Sequence, residues 1–399
     1  MTAPPPIYLD NAATTRPLEE VVERMGQAHL EWFGNPSSGH DYALAPHKAL
    51  SDAREYLRGT LSAAEVVFTS GGTEADLLGV VGAVQHRSPG RVLCAVTDHP
   101  AILMQRSLLA TTRHKLTPLP VTQDGDIDPE LLFENLGRDV RAIALLHGHN
   151  ELGTLSELEE LVSLSRRVCP DAHIHVDLVQ SYGKIPFDLN AADVDSIAVS
   201  GHKLHGPRGI GLLALSSKAD IRALQAGGGQ EDGLRGGTEN VAGAVGLAIA
   251  AEAAFTHLAS THTHCETLAS QLFARILQAF PNAERLGNPR HRLPHILSLR
   301  IPGIVGATML ERMNAHSVAF STGSACHDEG EDNPVLTGIG MNRRTAREVM
   351  RFSFSKFNTA AEIDRVATLL EQEAQSLLAQ APKTGSGAKN NPDAKVKQK

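Results

Sequence analysis

Short β-rich runs alternate with longer helical patterns between residues 60 and 215, and this alternation restricts the possible folds more than any other feature of the sequence. Six runs carry the pattern: 66–68, 91–96, 142–146, 174–176, 196–199 and 211–215. Such alternation is typical of crossover units in an α/β fold with a mostly parallel sheet. Polar or glycine-rich residues follow the runs, so we expect several loops to converge on one crevice at the carboxyl ends of the strands.

The second half of the chain has a different pattern. An alanine-rich stretch at 241–258 predicts a long helix, and strand-like runs at 293–300, 318–320 and 351–354 are interspersed with helical patterns. With 399 residues, of which 42% are hydrophobic, the chain is long enough to divide into a large domain and a smaller α+β domain. The last segment, 382–399, is rich in Lys, Gly, Asn and Ser, and we expect it to be disordered.

Charge and hydropathy argue against several classes of function. The formal net charge of -8 gives no general field that would attract nucleic acid or an anionic membrane. The N-terminus lacks the pattern of a signal peptide, and no segment reaches the ~20 consecutive apolar residues that a membrane-spanning helix needs. We therefore expect a cytoplasmic protein that binds neither nucleic acid nor membrane.

The cysteines and histidines do not predict a metal site. Cys94, Cys169, Cys265 and Cys326 lie far apart without any Cys-x-x-Cys pair, which argues against a zinc ribbon, a cluster-binding motif or a disulfide framework. Three histidines at 257–264 stand next to Cys265, but they fall in a helical stretch and their spacing does not match a metal-ligand pattern. No metal is expected.

A lysine, Lys203, follows the β-rich run at 196–199, within Ser-Gly-His-Lys-Leu-His-Gly-Pro at 200–207. A lysine at a strand end, in a partly desolvated pocket, can lose its proton near neutral pH and attack a carbonyl carbon. An aldehyde cofactor requires this reactivity. Taken alone, a loop lysine is more often simply exposed, so other features have to support the interpretation.

Asp177 and Gln180 follow the buried run at 174–176. A carboxylate at this place can pair with a pyridinium nitrogen and keep it protonated, so that the ring acts as an electron sink. Gln180 is placed to bond the phenolic oxygen of such a ring. By itself, an Asp after a strand is more often a helix cap or a turn former.

A third strand end carries two glycines, in Thr-Ser-Gly-Gly-Thr-Glu at 69–74, before a helical pattern that begins near Glu74. Backbone amides and the Thr73 hydroxyl at a helix N-terminus form an anion site that suits a cofactor phosphate. The Lys of a Walker loop and the third Gly of a dinucleotide fingerprint are missing. A strand-to-helix turn without a ligand is the alternative interpretation.

These three features, in this order, resemble one family. The chain is similar to the cysteine desulfurase and selenocysteine lyase family, in the class V aminotransferase group of fold-type I pyridoxal-phosphate enzymes, from about Tyr8 to Leu370. The resemblance rests on the three strand ends and on further motifs at 8–15, 34–38, 97–99, 150–153, 235–238, 321–326 and 351–353. It implies an enzyme that depends on pyridoxal 5′-phosphate.

The resemblance also implies an architecture. A large domain at 15–258, with a mostly parallel seven-stranded sheet, binds the cofactor. Segments 1–14 and 259–381 form the smaller α+β domain, which carries a catalytic cysteine loop. Two such chains form a homodimer.

The family implies roles for the residues around the cofactor ring. Lys203 forms a Schiff base with the cofactor aldehyde, and His99 stacks on the ring and takes part in proton transfer. Asp177 pairs with the pyridinium nitrogen. Asn150 and Gln180 bond the phenolic oxygen.

The family also implies ligands for the phosphate and the substrate. The phosphate ligands are Gly72, Thr73, Ser200, His202 and, from the other subunit, Thr238. Arg351 grips the substrate carboxylate with a bidentate fork, and Asn35 assists it.

Cys326 lies in a polar loop at 321–334 that is neither core-like nor strand-like. By resemblance, its thiolate attacks the substrate sulfur, keeps that sulfur as a persulfide and passes it to an acceptor, while alanine is released. A lone cysteine is more often structural, but the polarity of this loop and its place in the family pattern favour the catalytic role. We therefore predict a cysteine desulfurase that acts with a possible sulfur-acceptor protein.

Two other functions stay open at the level of the sequence. His327 and the acidic run after it look more like the loop of selenocysteine lyases, which release selenide and alanine from selenocysteine. A catalytically silent scaffold that only binds a partner is the third hypothesis. The chain departs from the family at Leu77 and His149, where an Asn is usual, and at Leu178 and Val179, which replace small residues next to Asp177. Bulkier aliphatic groups near the ring are expected to reshape the pocket and so to influence substrate choice.

Overall fold

A seven-stranded sheet forms the centre of the computed structural model, which describes residues 5–322 and 333–380. The strand order is β2-β8-β7-β6-β5-β3-β4. β8 pairs antiparallel with both of its neighbours, and all other pairs are parallel. The mostly parallel seven-stranded sheet is therefore confirmed. Its strands are β2 (Glu65–Thr69), β3 (Gly90–Ala95), β4 (His114–Leu119), β5 (Val140–Leu146), β6 (His173–Asp177), β7 (Ser196–Ser200) and β8 (Gly211–Leu215).

Helices cover both faces of this sheet. One face packs against α3 (Gly72–Val84), α4 (Pro100–Leu103) and α5 (Arg106–Thr111). The other face packs against α1 (Glu19–Glu31), α2 (Leu44–Leu61), α6 (Pro129–Asn135), α7 (Leu158–Val168) and α8 (Val241–Thr256). Successive residues of β7 alternate between these layers, as strand geometry requires: Ile197 and Val199 join the α8 side, and Ala198 the α3 side.

A second unit is built around a four-stranded antiparallel sheet with the order β12-β13-β10-β9. The strands are β9 (Glu284–Arg285), β10 (Ile296–Arg300), β12 (Ser321–Thr322) and β13 (Val349–Ser353). β1 (Ile7–Tyr8) and β11 (Val318–Ala319) form a separate parallel pair. The helices of this part are α9 (Leu258–Ala279), α10 (Gly306–Ala315), α11 (Pro334–Gly338), α12 (Arg343–Ala346) and α13 (Ala360–Gln380).

The second unit has its own hydrophobic core. Leu9 from the N-terminus packs in one cluster with Cys265, Phe352 and Leu370. The described part of the chain therefore begins and ends in this α+β unit. The precise domain boundaries, 15–258 against 1–14 with 259–381, stay a prediction, and the predicted tail at 382–399 lies outside the described residues.

The helix expected at 241–258 differs from the structure at its end. α8 stops at Thr256, and α9 begins at Leu258 after a bend of 73°. Among the described residues no single helix is long and apolar enough to cross a membrane, and α8 and α9 meet those criteria only as this bent pair.

Candidate functional site

A cleft opens at the carboxyl ends of β5, β6 and β7 and has an empty volume of about 650 Å³. Nine of the residues predicted for the site line it, together with three that were not predicted. The lining residues are Gly72, Thr73, Asp76, His99, Leu146, Asn150, Asp177, Val179, Gln180, Ser200, His202 and Lys203.

Lys203 ends a short 3-10 turn that directly follows β7. Its Nζ donates to the carbonyl oxygens of Ala12 at 2.6 Å and Ala13 at 2.9 Å. Burial, with help from the nearby charge of Arg351, lowers the pKa of Lys203 to about 8. A neutral, nucleophilic amine is therefore accessible near physiological pH.

Asp177 is the last residue of β6 and is only 5% exposed. Its Oδ1 accepts the backbone N–H of Val179 at 2.8 Å. Burial, and then the nearby carboxyl of Asp76, raise the pKa of Asp177 to about 7. A buried carboxylate of this kind gains from a cationic partner, and a pyridinium nitrogen is such a partner.

Gln180 lies on the wall of the cleft and is 3% exposed. Its Nε2 donates to the Ala12 carbonyl oxygen at 2.9 Å and has a second N–H, and its Oε1 is buried without a hydrogen-bond partner. A buried polar atom without a partner is rare in folded proteins, so a bound group or an ordered water is expected beside it.

The N-terminus of α3 packs tightly against the loop that follows Asp177. A side chain at Gly72 would place its Cβ 2.6 Å from Val179 Cγ2, so only glycine fits there. The first turn of the helix therefore presents its free backbone N–H groups to the cleft, where Ser200 and His202 also lie. Burial lowers the pKa of His202 to about 4, and its Nδ1 lies 3.1 Å from Thr14 Oγ1.

His99 caps the N-terminus of α4. Its Nδ1 accepts the backbone N–H of Ala101 at 3.1 Å. Burial lowers the pKa of His99, so the ring is neutral, and the proton must be on Nε2 because Nδ1 is an acceptor. His99 therefore offers an N–H donor on its free side.

His149, one of the departures from the family, joins two loops of the site. Its Nε2 donates to the Thr97 carbonyl oxygen at 3.1 Å, and its Nδ1 accepts the N–H groups of Glu151 at 3.1 Å and Leu152 at 3.3 Å. Burial lowers its pKa to about 4. The loop that carries His99 is thereby tied to the loop that carries Asn150.

Arg351 lies on β13 and reaches toward the cleft from the second unit. It donates through Nη1 to the Asn150 carbonyl oxygen at 2.9 Å and through Nη2 to Asp10 Oδ1 at 2.8 Å. Its Nε is buried and has no hydrogen-bond partner. The pairing with Asp10 was not anticipated, although the motif at 8–15 contains that residue.

The remaining predicted residues lie elsewhere. Asn35 and Thr238 are exposed and do not line the cleft, and Cys326 falls outside the described residues. Of the four departures only Val179 lines the cleft, and Leu178 packs into the core on the α8 side of the sheet. Within 5–322 and 333–380 no group of three or more His, Cys, Asp or Glu residues could hold a metal ion.

Asp76 is the acidic lining residue that the sequence did not predict. It lies in the second turn of α3, is 1% exposed, and bonds His175. A carboxylate three residues after Thr73 was the available signal. It does not stand out in the sequence because helices often have acidic residues near their start.

The family comparison agrees with this geometry. The aminotransferase class-V family matches residues 7–366 of the chain. The cysteine desulfurase NifS of Azotobacter vinelandii is 37% identical over 367 residues, which cover 90% of each protein. A cysteine desulfurase of Trichormus azollae is 35% identical and covers 94% of each protein. The predicted family resemblance is confirmed.

Solved structures show the same fold. A NifS-like protein is 31% identical, with a TM-score of 0.87 over 93% of this chain and 100% of the other. The structure of SspA in complex with cysteine is 28% identical, with a TM-score of 0.76 over 88% of this chain and 100% of the other. The predicted fold-type I architecture is confirmed by these likenesses.

Proposed function

Because the chain belongs to the aminotransferase class-V family of pyridoxal-phosphate enzymes, we propose that it is a cysteine desulfurase, which converts L-cysteine to L-alanine and passes the sulfur to an acceptor. The observation that carries this proposal is one cleft that is lined by both a lysine of lowered pKa and a buried carboxyl group.

The residues of the cleft fit pyridoxal phosphate. The unpaired Gln180 Oε1 and the free N–H on its Nε2 mark a polar ligand beside Ala12. The close approach at Gly72 leaves helix α3 with an open N-terminal turn that suits a phosphate. We assign the phosphate to that turn with Thr73, Ser200 and His202, the ring nitrogen to Asp177, and the phenolic oxygen to Asn150 and Gln180.

When bound, the cofactor supplies a conjugated ring that accepts the electron pair left by loss of the substrate α-proton. Asp177 holds a proton at the ring nitrogen. Lys203 Nζ is the group that removes the α-proton, because its lowered pKa makes a neutral amine available. His99 acts as a donor rather than a base, since its Nδ1 is already occupied by the Ala101 N–H.

Arg351 binds the substrate carboxylate in this proposal. Its buried Nε is without a partner, and its guanidinium is held in place by Asp10 and the Asn150 carbonyl. Cys326 then attacks the substrate sulfur as a thiolate. The new S–S bond forms as the carbon–sulfur bond breaks, and the carbon takes up a proton to give alanine.

Selenocysteine lyase is not favoured as the function, because the relatives described above are cysteine desulfurases. We also infer a homodimer that works in the cytoplasm with a sulfur-acceptor protein. Exposed apolar side chains support the dimer: Phe33 is 70%, Tyr42 71% and Leu44 66% exposed. They lie near an open groove lined by Leu44 and Glu239, next to the exposed Thr238 that is predicted to serve the second subunit.

Borohydride reduction followed by peptide mass analysis tests the cofactor assignment. We expect the reduced adduct on the peptide that contains Lys203, and no adduct in Lys203→Ala. Lys218→Ala, at an exposed lysine paired with Asp193, is the control and should keep the adduct. An adduct on another lysine would contradict the assignment.

Alanine formation from cysteine and from selenocysteine tests the substrate. Wild type should release alanine from cysteine, and Cys326→Ala should lose that activity by about 10²-fold or more, because the nucleophile is gone. Turnover of selenocysteine alone would overturn the proposed substrate, and cofactor binding without alanine from either amino acid would favour the scaffold hypothesis.

A further inference from the structure

The side of β6 and β7 that faces α3 is almost entirely polar. His173, His175 and Asp177 alternate along β6 with Ile174 and Val176, which pack into the apolar core on the opposite face. On β7 the residues toward α3 are Ser196, Ala198 and Ser200, of which only Ala198 is apolar. We call His173, His175, Asp177, Ser196 and Ser200 the polar face. Because it is buried, its members need hydrogen-bond partners.

Four side chains form a continuous chain of hydrogen bonds from the cleft across this face. Asp76 Oδ1 lies 3.1 Å from His175 Nε2, and His175 Nδ1 lies 2.8 Å from Ser196 Oγ. Ser196 Oγ lies 2.7 Å from His173 Nε2. All four residues are at most 3% exposed.

Because residue 79 is a glycine, helix α3 packs directly against the hydrogen-bonded side chains. A Cβ at Gly79 would stand 2.4 Å from Nδ1 and 2.5 Å from Cε1 of His175. The backbone of α3 therefore holds the imidazole of His175 between Asp76 and Ser196.

These hydrogen bonds allow two consistent arrangements of the protons, because the Ser196 hydroxyl donates only one hydrogen bond. In the first, His175 donates Nε2–H to ionised Asp76, Ser196 donates to His175 Nδ1, and His173 donates Nε2–H to Ser196. In the second, protonated Asp76 donates to His175 Nε2, His175 donates Nδ1–H to Ser196, and Ser196 donates to His173 Nε2.

The two arrangements differ by one proton. In the second arrangement the ring proton of His173 is on Nδ1, and this nitrogen lies 4.0 Å from Asp195 Oδ2. The additional proton is taken up from solvent. On the His173 side Asp195 is 5% exposed and accepts a hydrogen bond from Arg166 Nη2 at 2.9 Å. Both imidazoles are neutral in either arrangement, in agreement with their lowered pKa values.

We propose that Asp76, His175, Ser196 and His173 form a proton relay that keeps Asp76 neutral, so that Asp177 stays anionic and holds a proton on the ring nitrogen of the cofactor. The relay deepens the proposed function and depends on it for its consequence at the cofactor. Asp76, His175, Ser196 and His173 are positioning residues, since they act through Asp177.

Burial favours the neutral form of Asp76, because it raises the pKa of this carboxyl to about 8. A negative Asp76 would in turn raise the pKa of Asp177, which would then take the proton from the ring nitrogen. Other charged or titratable groups near this region are Asp98, His99 and Lys203 beside Asp177, and Arg87 and Arg166 beside His173.

Imidazole nitrogen NMR of the cofactor-free protein tests the relay without any reaction. At pH 7 His173 and His175 should both be Nδ1–H tautomers, and both should change to Nε2–H with one shared midpoint near pH 8. In Ser196→Ala the two rings should no longer change together. Ser165→Ala removes an equally buried hydroxyl that only bonds Leu161 within α7, and it should behave as wild type. Nε2–H rings at pH 7, or independent changes in wild type, would overturn the relay.

The ring-nitrogen signal of bound ¹⁵N-labelled pyridoxal phosphate tests the consequence. In wild type the nitrogen should lose its proton with a midpoint near pH 8, and in Asp76→Asn, which stays neutral, the midpoint should rise by at least about one pH unit. Equal midpoints would refute the role of Asp76. A protein that binds no cofactor would contradict the proposed function, and the tautomers of the cofactor-free protein would still decide on the relay.

Discussion

His149 shows how a single residue can hold a site together without touching the substrate. Both of its ring nitrogens are used, one toward Thr97 and the other toward the amides of Glu151 and Leu152. A neutral imidazole can do this because it is a donor at one nitrogen and an acceptor at the other. The geometry of the loops on both sides of the cleft therefore depends on one buried ring.

Replacing His149 by Ala should destabilise the protein. The Thr97 carbonyl and the two amides would lose their partner in a buried place, which costs about 1–3 kcal/mol for an unpaired group. Urea unfolding of the two proteins measures the difference.

His149→Asn, which restores the side chain that the family usually has there, is the matched variant. Its oxygen can accept one of the amides, so we expect it to recover part of the lost stability. An alanine variant as stable as wild type would mean that the loops do not need this residue.

At the scale of the element, the contact between α3 and the loop after β6 controls the shape of the phosphate site. Gly72 in the first turn has no room for a side chain against Val179. Gly59, near the end of α2, has nothing within 4 Å of an added Cβ. Both glycines lie in helices, but only Gly72 has a neighbour that a side chain would meet, so Gly59 serves as the control position.

Gly72→Ala should weaken cofactor binding, because the helix has to move away from Val179 and its N–H groups move with it. We expect a rise in the dissociation constant of pyridoxal phosphate of about tenfold, which corresponds to a loss of one phosphate hydrogen bond. Fluorescence titration of the cofactor-free protein measures it.

Gly59→Ala should leave cofactor affinity unchanged and increase the free energy of unfolding by about 0.5–1 kcal/mol, because alanine favours a helix. If both variants bound the cofactor equally well, the contact with Val179 would not matter for binding.

The sequence predicted the elements whose pattern is local. All six predicted runs of the central sheet are strands in the structure, and nine predicted residues meet in one cleft because parallel strands end on the same side. β4 was not predicted, since its edge position tolerates Lys115 and Pro118, which interrupt the usual strand pattern. The Asp76–His175 contact joins residues 99 positions apart, so no local pattern contains it.

At the scale of the whole molecule, the site lies where the two units meet. The central sheet supplies Lys203 and Asp177, whereas Arg351 comes from the antiparallel sheet and Asp10 from the N-terminal segment. Catalysis in the proposed function therefore needs both units folded and packed. Conditions that unfold the chain should abolish binding of cofactor and substrate together.

We expect acidic pH to destabilise the folded protein. Burial lowers the pKa of five histidines to about 4 and of two others well below their usual value: His147, His149, His175, His202 and His205, and then His173 and His295. The unfolded chain binds protons on these residues below pH 6.5, and the folded protein does not. Stability from a histidine of lowered pKa is present above pH 6.5 and is lost as the pH falls.

Buried carboxyl groups change the free energy of unfolding in the opposite direction as the pH falls. Asp76, Asp98 and Asp177 have raised pKa values, so they are already protonated in the folded protein at a pH where the unfolded chain is still ionised. Burial also raises the pKa of Asp126 and Glu65 and lowers that of His99 and His114. Among the described residues five such carboxyls therefore oppose nine such histidines, so the unfolded state binds more protons between pH 6.5 and 5. The free energy of unfolding should therefore fall over this interval, by about 1.4 kcal/mol per pH unit for each net proton.

Urea unfolding at several pH values measures this slope. His147→Gln removes one of the buried histidines, whose Nδ1 bonds Ser181 Oγ at 2.8 Å, and should reduce the slope by about one proton even if it lowers stability at every pH. His29→Gln changes an exposed histidine on α1 and should leave the slope as it is. If the free energy of unfolding stays constant or rises as the pH falls from 6.5 to 5, the buried histidines take up protons in the folded protein. The assignment of neutral imidazoles, on which the relay depends, would then be wrong.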